Sequence, residues 1–167
     1  MQNTISQWLS QISVQLTRSA LDRLFKTTSR ATSCVALSSA GLVIKAGGGV
    51  LAKTGGAAFY ASVNGTLVTV AAGVDMPALT GLNISANAFN VACFFINGSG
   101  TVSARFGVEG SAIGRVKWPD FPDDQALVGA LLITHSSAFT GNTTALDTAT
   151  TVYLSPVGAV DPTFIYA

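Results

Sequence analysis

Charge is what this chain has least of. Only 10% of its 167 residues are Asp, Glu, Lys or Arg, against about 25% in an ordinary soluble domain. Histidine occurs once, at His135, glutamate once, at Glu109, and cysteine twice, at Cys34 and Cys93. So few groups leave little from which to assemble general acid–base chemistry or a metal site. Two cysteines are too few for a disulfide framework, and their spacing is not that of metal ligands. No apolar run approaches the roughly 18 residues needed to span a bilayer, and the longest, 126–133, is strand-length. The first residues, Met1 to Leu16, have no basic stretch before the apolar one, which predicts no secretory signal. The four Asn-x-Ser/Thr triplets starting at Asn64, Asn83, Asn97 and Asn142 then read as incidental. A net charge of +1 gives no global attraction to nucleic acid or to an anionic membrane.

What is present is apolar and neutral-polar. Hydrophobic residues make up 49% of the chain, and Ser and Thr together number 34. Disorder is disfavoured, because disordered chains are poor in apolar residues and rich in charge. The length suits one sizeable domain with an extension. The few charges divide unevenly. Residues 1–53 hold six bases and one acid, a net of +5, whereas residues 54–167 hold three bases and seven acids, a net of −4. A basic third and an acidic remainder can attract each other across neighbouring subunits, or the basic part can dock on an acidic partner. A charge-poor surface also desolvates cheaply, which suits a protein covered by copies of itself or by partners.

The first element predicted is an amphipathic helix. Thr4 and Gln7 fit a capping box. Ile5, Trp8, Leu9, Ile12 and Leu16 then recur at helical spacing and fill seam positions for about two heptads. Leu21, Leu24 and Phe25 continue the helix with a rotated apolar face, and Arg18, Arg23, Lys26 and Arg30 make it basic. Residues 27–33 read as a linker. Three roles are open to this helix: packing on its own β domain, associating with copies or a partner, or lying on a membrane. Gln and Ser on its polar face speak against the membrane.

From Cys34 onward the pattern is β. Asn64-Gly65 between two alternating runs is a strong hairpin signal, because both turn residues need positive φ. A two-residue loop pairs Val63 with Thr66, Ala61 with Val68 and Phe59 with Val70. A second hairpin is predicted from Phe89 to Val108 around a four-residue turn, Asn97 to Gly100, pairing Phe95 with Val102, Cys93 with Ala104 and Val91 with Phe106. Further strands are expected at 34–37, 42–45, 112–117, 127–134 and 151–154. The run 127–133 is apolar on both faces and should be central. The fold class is therefore mainly β: an antiparallel β-sandwich or barrel-like domain over residues 34–167, preceded by an N-terminal amphipathic α-helix and linker over 1–33.

Candidate chemistry is sparse. Gly47-Gly48-Gly49 with Lys53-Thr54 nearly spells a phosphate loop, but Ala52 stands where glycine is required and a strand follows in place of a helix. His135-Ser136-Ser137 lies in no nucleophile motif. Asp120, Asp123 and Asp124 could offer oxygens to a cation, at a spacing unlike a calcium loop. Cys93 falls on an apolar face, where a buried free thiol and a bridge to Cys34 are the alternatives. No catalytic residue, cofactor or metal is expected. The loop from Trp118 to Asp124 is predicted to expose Trp118 and Phe121 as contact residues.

An order of features carries a family resemblance: Phe59 to Gly65; Ala88 to Ile96 with its glycine turn and Thr101-Val102; Val116-Lys117-Trp118-Pro119; Ala126 to Gly129; and Phe139 to Asp147. Over these roughly 100 residues, Lys53 to Leu154, the chain resembles β domains common in virion structural proteins of tailed bacteriophages. The resemblance implies a non-enzymatic particle component located in the virion, of capsid-decoration (cement) or head-fibre type. The partners it implies are copies of the chain, such as a trimer at a shell three-fold position, and the major capsid or another virion protein, with no nucleic acid and no membrane. The interface would be Ile5, Trp8, Leu9, Ile12, Leu16, Arg18, Arg23, Lys26 and Arg30. The alternative it leaves is a tail or fibre module that binds a host surface or glycan through Trp118 and Phe121.

Overall fold

The computed structural model describes residues 33–159 and, before them, Thr17, Arg18, Ala20, Leu21, Asp22, Phe25 and Thr28. Those seven residues have helical backbone and are exposed. The predicted capping box, the seam Ile5, Trp8, Leu9, Ile12 and Leu16, and the bases Arg23, Lys26 and Arg30 lie outside the described residues. Thr28 and Ser33 are also helical, so helical conformation reaches into the stretch read as a linker. No Gly or Pro occurs before residue 41 to stop it.

The rest is mainly antiparallel β. Eleven strands follow in order: β1 Cys34–Ala36, β2 Val43–Ile44, β3 Ala52–Lys53, β4 Phe59–Val63, β5 Thr66–Val70, β6 Asn83–Ile84, β7 Phe89–Asn97, β8 Val102–Phe106, β9 Gln125–Thr134, β10 Phe139–Thr140 and β11 Thr150–Leu154. They form a three-stranded sheet ordered β1-β4-β5, a four-stranded sheet ordered β11-β9-β7-β8, and two small pairs, β2-β3 and β10-β6. No sheet closes into a barrel among the described residues.

The first hairpin has the predicted register, with Phe59 opposite Val70, Ala61 opposite Val68 and Val63 opposite Thr66. Asn64 and Gly65 take φ values of 50° and 79°, as a turn whose twist matches the strands requires. The second hairpin is one residue out of its predicted register. Ala92 faces Phe106, Phe94 faces Ala104 and Ile96 faces Val102, while Cys93 and Phe95 stand opposite Arg105 and Ser103. The cause is Gly100, whose φ of 83° makes it the left-handed residue of a three-residue loop. Asn97 then pairs with Thr101 through a backbone bond of 3.1 Å. A one-residue slip exchanges the faces of a strand, which puts Ser103 and Arg105 where Val102, Ala104 and Phe106 were expected.

β7 and β9 are the inner strands, and both of their faces are covered. One face, with Ala92, Phe94, Ile96, Ala126, Val128, Leu131 and Ile133, shares a core with Ala36, Phe59, Ala61, Val63, Val68 and Val70 of the three-stranded sheet. The other face, with Val91, Cys93, Phe95, Leu127, Ala130 and Leu132, is capped by Val116 and Phe121 from the connection between β8 and β9. Burial on both sides explains the unbroken apolar runs of these two strands. The β7–β9 register shifts between Phe94, opposite Gly129, and Phe95, opposite Leu127, so Val128 is an extra residue. A side chain at Gly129 would meet the Leu154 carbonyl oxygen at 2.5 Å and Leu42 Cδ1 at 2.6 Å, so the bulge sits beside a glycine that its neighbours require.

Residues 112–117 do not form the expected strand. Ile113–Arg115 is a turn of 3₁₀ helix, and only Lys117 bridges, to Val108. Residues 112–115 stay exposed, and Val116 alone of this stretch packs onto the four-stranded sheet, so tertiary contact more than β propensity sets its path.

Candidate binding surfaces

The polar features singled out in the sequence are bound into the fold itself. The Gly47-Gly48-Gly49 turn joins β2 to β3, and the Gly48 N–H, with φ of 70° at that residue, donates to Asp147 Oδ2 at 2.6 Å. A side-chain carboxylate of the chain thus takes the donor that a phosphate loop would offer to a ligand. Thr54 is fully buried, donating to the Ala71 carbonyl at 3.0 Å and accepting from the Val74 N–H at 2.9 Å. His135 Nδ1 accepts the Ser137 N–H at 3.0 Å, closing a turn between β9 and β10. Among the described residues no acid bonds to that nitrogen, as a triad would need.

Among the described residues, no cluster of His, Cys, Asp or Glu could hold a metal. Cys34 and Cys93 are free and buried in different cores, Cys34 beneath the three-stranded sheet and Cys93 on the far face of the four-stranded one. Burial pushes the Cys93 thiol well up from its ordinary value, so the reactive thiolate is suppressed.

Glu109 does ordering work. Its Oε2 accepts the Ser85 N–H at 2.8 Å and its Oε1 the Ser85 hydroxyl at 2.9 Å. The Ser85 backbone bond first, and the hydroxyl second, hold its pKa below the usual carboxylate range. A depressed folded value means that this tie is present at neutral pH and is lost as pH falls through that value. In an NMR titration, the Ser85 amide is expected to shift with a midpoint below the ordinary glutamate value of about 4.3. Glu109→Gln should remove that titration; a midpoint at or above the ordinary value would contradict the bond.

The aromatic loop departs from expectation. Phe121 is buried rather than exposed, with its ring 5.0 Å from Phe95 at 73° and 6.2 Å from Trp118 at 61°. Its edge-to-face contacts make it a plug for the second core. Trp118 is half-buried and forms one wall of a groove. The exposed aromatic pair predicted from the sequence is therefore absent. Burial of the Phe121 ring against Phe95 in the second core outweighs the loop's expected exposure.

Two apolar surfaces remain. The first is the outer face of β1-β4-β5, formed by Val35, Leu37, Tyr60, Ser62, Leu67 and Thr69. Leu37 is 52% exposed, Tyr60 42% and Leu67 64%, and no charged residue stands among the six. The second is an open groove of about 360 Å³ beside β11, lined by Trp118, Leu127, Ala130, Tyr153, Leu154, Ser155 and Pro156. Sequence reasoning missed this groove. Small Ala130 in a run of large residues, followed by Ser155-Pro156 at a strand end, was its only trace. Of the predicted interface, Arg18 is described and exposed, and on the same stretch Leu21 and Phe25, one helical turn apart, are 45% and 69% exposed. No helix among the described residues is long and apolar enough to cross a membrane. No protein-family model, no curated protein and no solved structure matches the chain.

Proposed function

We propose that this chain is a non-enzymatic structural protein of a virion, a capsid decoration or head-fibre component of the tailed-bacteriophage type. In this reading an antiparallel β-sandwich stands behind an N-terminal amphipathic helix, and both bind neighbouring copies and the assembled shell. The observation that carries it is the uncharged outer face of β1-β4-β5, with Leu37, Tyr60 and Leu67 open to solvent. Contiguous apolar surface of this kind marks a contact site more often than a bare exterior. Leu21 and Phe25 add an exposed apolar pair on the basic arm that leads into β1. A decoration protein stabilises its shell by binding the assembled state and not the free subunits, and it needs area and complementarity more than reactive groups. The host-binding alternative would rest on Trp118 without Phe121, which is buried.

Deletion of residues 1–26 is the test. The shortened protein should keep the near-ultraviolet spectrum of its β domain, yet fall below about a tenth of normal occupancy in purified particles. Normal occupancy would remove the anchoring role of the arm, and absence of the full-length protein from particles would overturn the virion assignment itself.

A further inference from the structure

The three-stranded sheet is ordered β1-β4-β5, so among the described residues β5 has a neighbour on one side only. Which backbone groups it leaves open follows from β4. On the far side of β4, the Leu37 N–H donates to the Tyr60 carbonyl at 2.8 Å and the Asn64 N–H to the Ser33 carbonyl at 2.6 Å. Backbone groups alternate between the two sides of a strand. Phe59, Ala61 and Val63 therefore turn theirs toward β5, where they meet Val70, Val68 and Thr66. Leu67 and Thr69 aim their N–H and C=O outward, and among the described residues neither makes a backbone bond on that side.

Native proteins guard such an edge with a charge, a proline, a bulge or a covering segment. The other sheet edges have a guard or a neighbour. Arg105 stands on β8, and Gly158 bridges to Ala36 of β1. β11 is met near both ends, where the Thr151 hydroxyl donates to the Leu146 carbonyl and the Ser39 hydroxyl to the Ser155 carbonyl, each at 3.2 Å. From Gly65 to Ala71 there is no charge and no proline, and the register with β4 is unbroken. Thr and Val dominate this strand, which suits pairing. Its outer face is open too, with Leu67 64% exposed and Thr69 exposed beside it.

A second copy of the same strand fits this edge by symmetry. Identical strands pair antiparallel across a two-fold axis, each offering the same patch to the other. With the axis at Val68, Leu67 meets Thr69 of the second copy and Thr69 meets its Leu67, each pair exchanging two backbone bonds. Every outward group of the two residues is then satisfied. An axis at Leu67 or at Thr69 would instead pair the other residue with Gly65 or Ala71, beyond the strand ends. In the Val68 register the core faces of both copies stay on one side, and no like charges stand opposite each other.

We propose that β5 pairs antiparallel with β5 of a second copy about a two-fold axis at Val68, joining the two three-stranded sheets into one. This rests on the reading of the sheet as a contact surface, and names its edge and its occupant. The uncharged outer faces carrying Leu37, Tyr60 and Leu67 become continuous across the axis. An edge of five residues a side is small, so the pair belongs with weak, concentration-dependent contacts.

Sedimentation of the full chain over a dilution series reaching about 1 mM is the test. The native chain should pass from monomer to dimer. Leu67→Lys with Thr69→Lys sets like charges opposite each other and should weaken the dimer at least about tenfold. Mixing that variant with Leu67→Glu and Thr69→Glu in another chain should restore it as a mixed dimer. A native chain monomeric throughout, or a dimer indifferent to the two lysines, would overturn the proposal. So would slow exchange of the Leu67 and Thr69 amides in the monomer, which would mean that the chain covers this edge itself. If a variant does not fold, isotope-filtered NMR on mixed enriched and unenriched native chains decides. Contacts between Val68 of one chain and Val68 of the other support the pairing, and their absence overturns it. A chain that is monomeric in solution yet fills particles normally overturns the pairing alone, whereas a dimer missing from particles overturns the virion assignment alone.

Discussion

Phe94→Ala should cost about 4 kcal/mol of folding stability, near the middle of the range for deleting a fully buried phenylalanine. Phe94 is 0% exposed and stands on inner strand β7, on the face shared with the three-stranded sheet. Its ring lies within the core that the two sheets share, so the space it leaves is bounded by packed side chains. The cost then includes both the lost transfer of the ring from water and a cavity that the rigid sheets leave open. A domain of this size is stable by only about 5–15 kcal/mol, so a large share of the total is at stake. Urea unfolding should show the midpoint falling with the slope unchanged. A loss under about 1.5 kcal/mol, the level of a volume-conserving swap, would mean that the two sheets do not share the core described above.

Gly141→Ala is expected to be nearly as damaging, at about 3 kcal/mol or more, which is the tail of the distribution for single substitutions. The residue follows β10, and its N–H donates to the Leu82 carbonyl at 2.7 Å. A Cβ there would overlap the Leu79 carbonyl oxygen and lie 2.8 Å from Leu79 C and 2.9 Å from Leu79 Cβ. Backbone cannot swing aside as a side-chain tip can. Leu79 is itself 1% exposed, and its carbonyl already accepts the Leu82 N–H at 3.0 Å. Gly114→Ala is the matched control, because nothing lies within 4 Å of its added carbon and its φ is not in the left-handed region. It should change stability by less than about 0.5 kcal/mol. At about 3 °C per kcal/mol for a domain of this length, the two alanines should separate by roughly 8 °C or more in thermal midpoint. Equal midpoints would show that the Leu79 turn is not packed against Gly141.

Where turn chemistry and alternation agree, the sequence was legible to the residue. Asn64-Gly65 allows one loop length and one register, and β4–β5 has it. The central place of β9 was equally plain, since an apolar run on both faces has to be covered on both. The second hairpin was legible as a hairpin but not in register. Asn97-Gly98-Ser99-Gly100 permits either loop length, and the choice rests on Gly100 adopting positive φ. The two-residue strands β3, β6 and β10 were invisible, because pairs that short carry no period of their own. For the candidate surfaces the same division holds. The uncharged outer face of the first hairpin could be read from Tyr60, Ser62, Leu67 and Thr69 alternating out of the core. The groove could not, because Trp118, Ala130 and Tyr153 lie on separate segments that only the folded sheet brings together.

Local signals were enough to show that this protein is mainly antiparallel β and that the hairpin at Asn64-Gly65 forms, and composition to show that its titratable groups are few. Those properties are local: turn dihedrals, two-residue alternation and the supply of titratable groups are all set within a few residues or by composition. Long-range packing is what turns Phe121 inward, ties the glycine turn to Asp147 and lays Val116 on the four-stranded sheet. Each of these depends on a partner far along the chain. The free energy gained by burying a ring or satisfying an N–H there outweighs the weak local preference that the sequence displays.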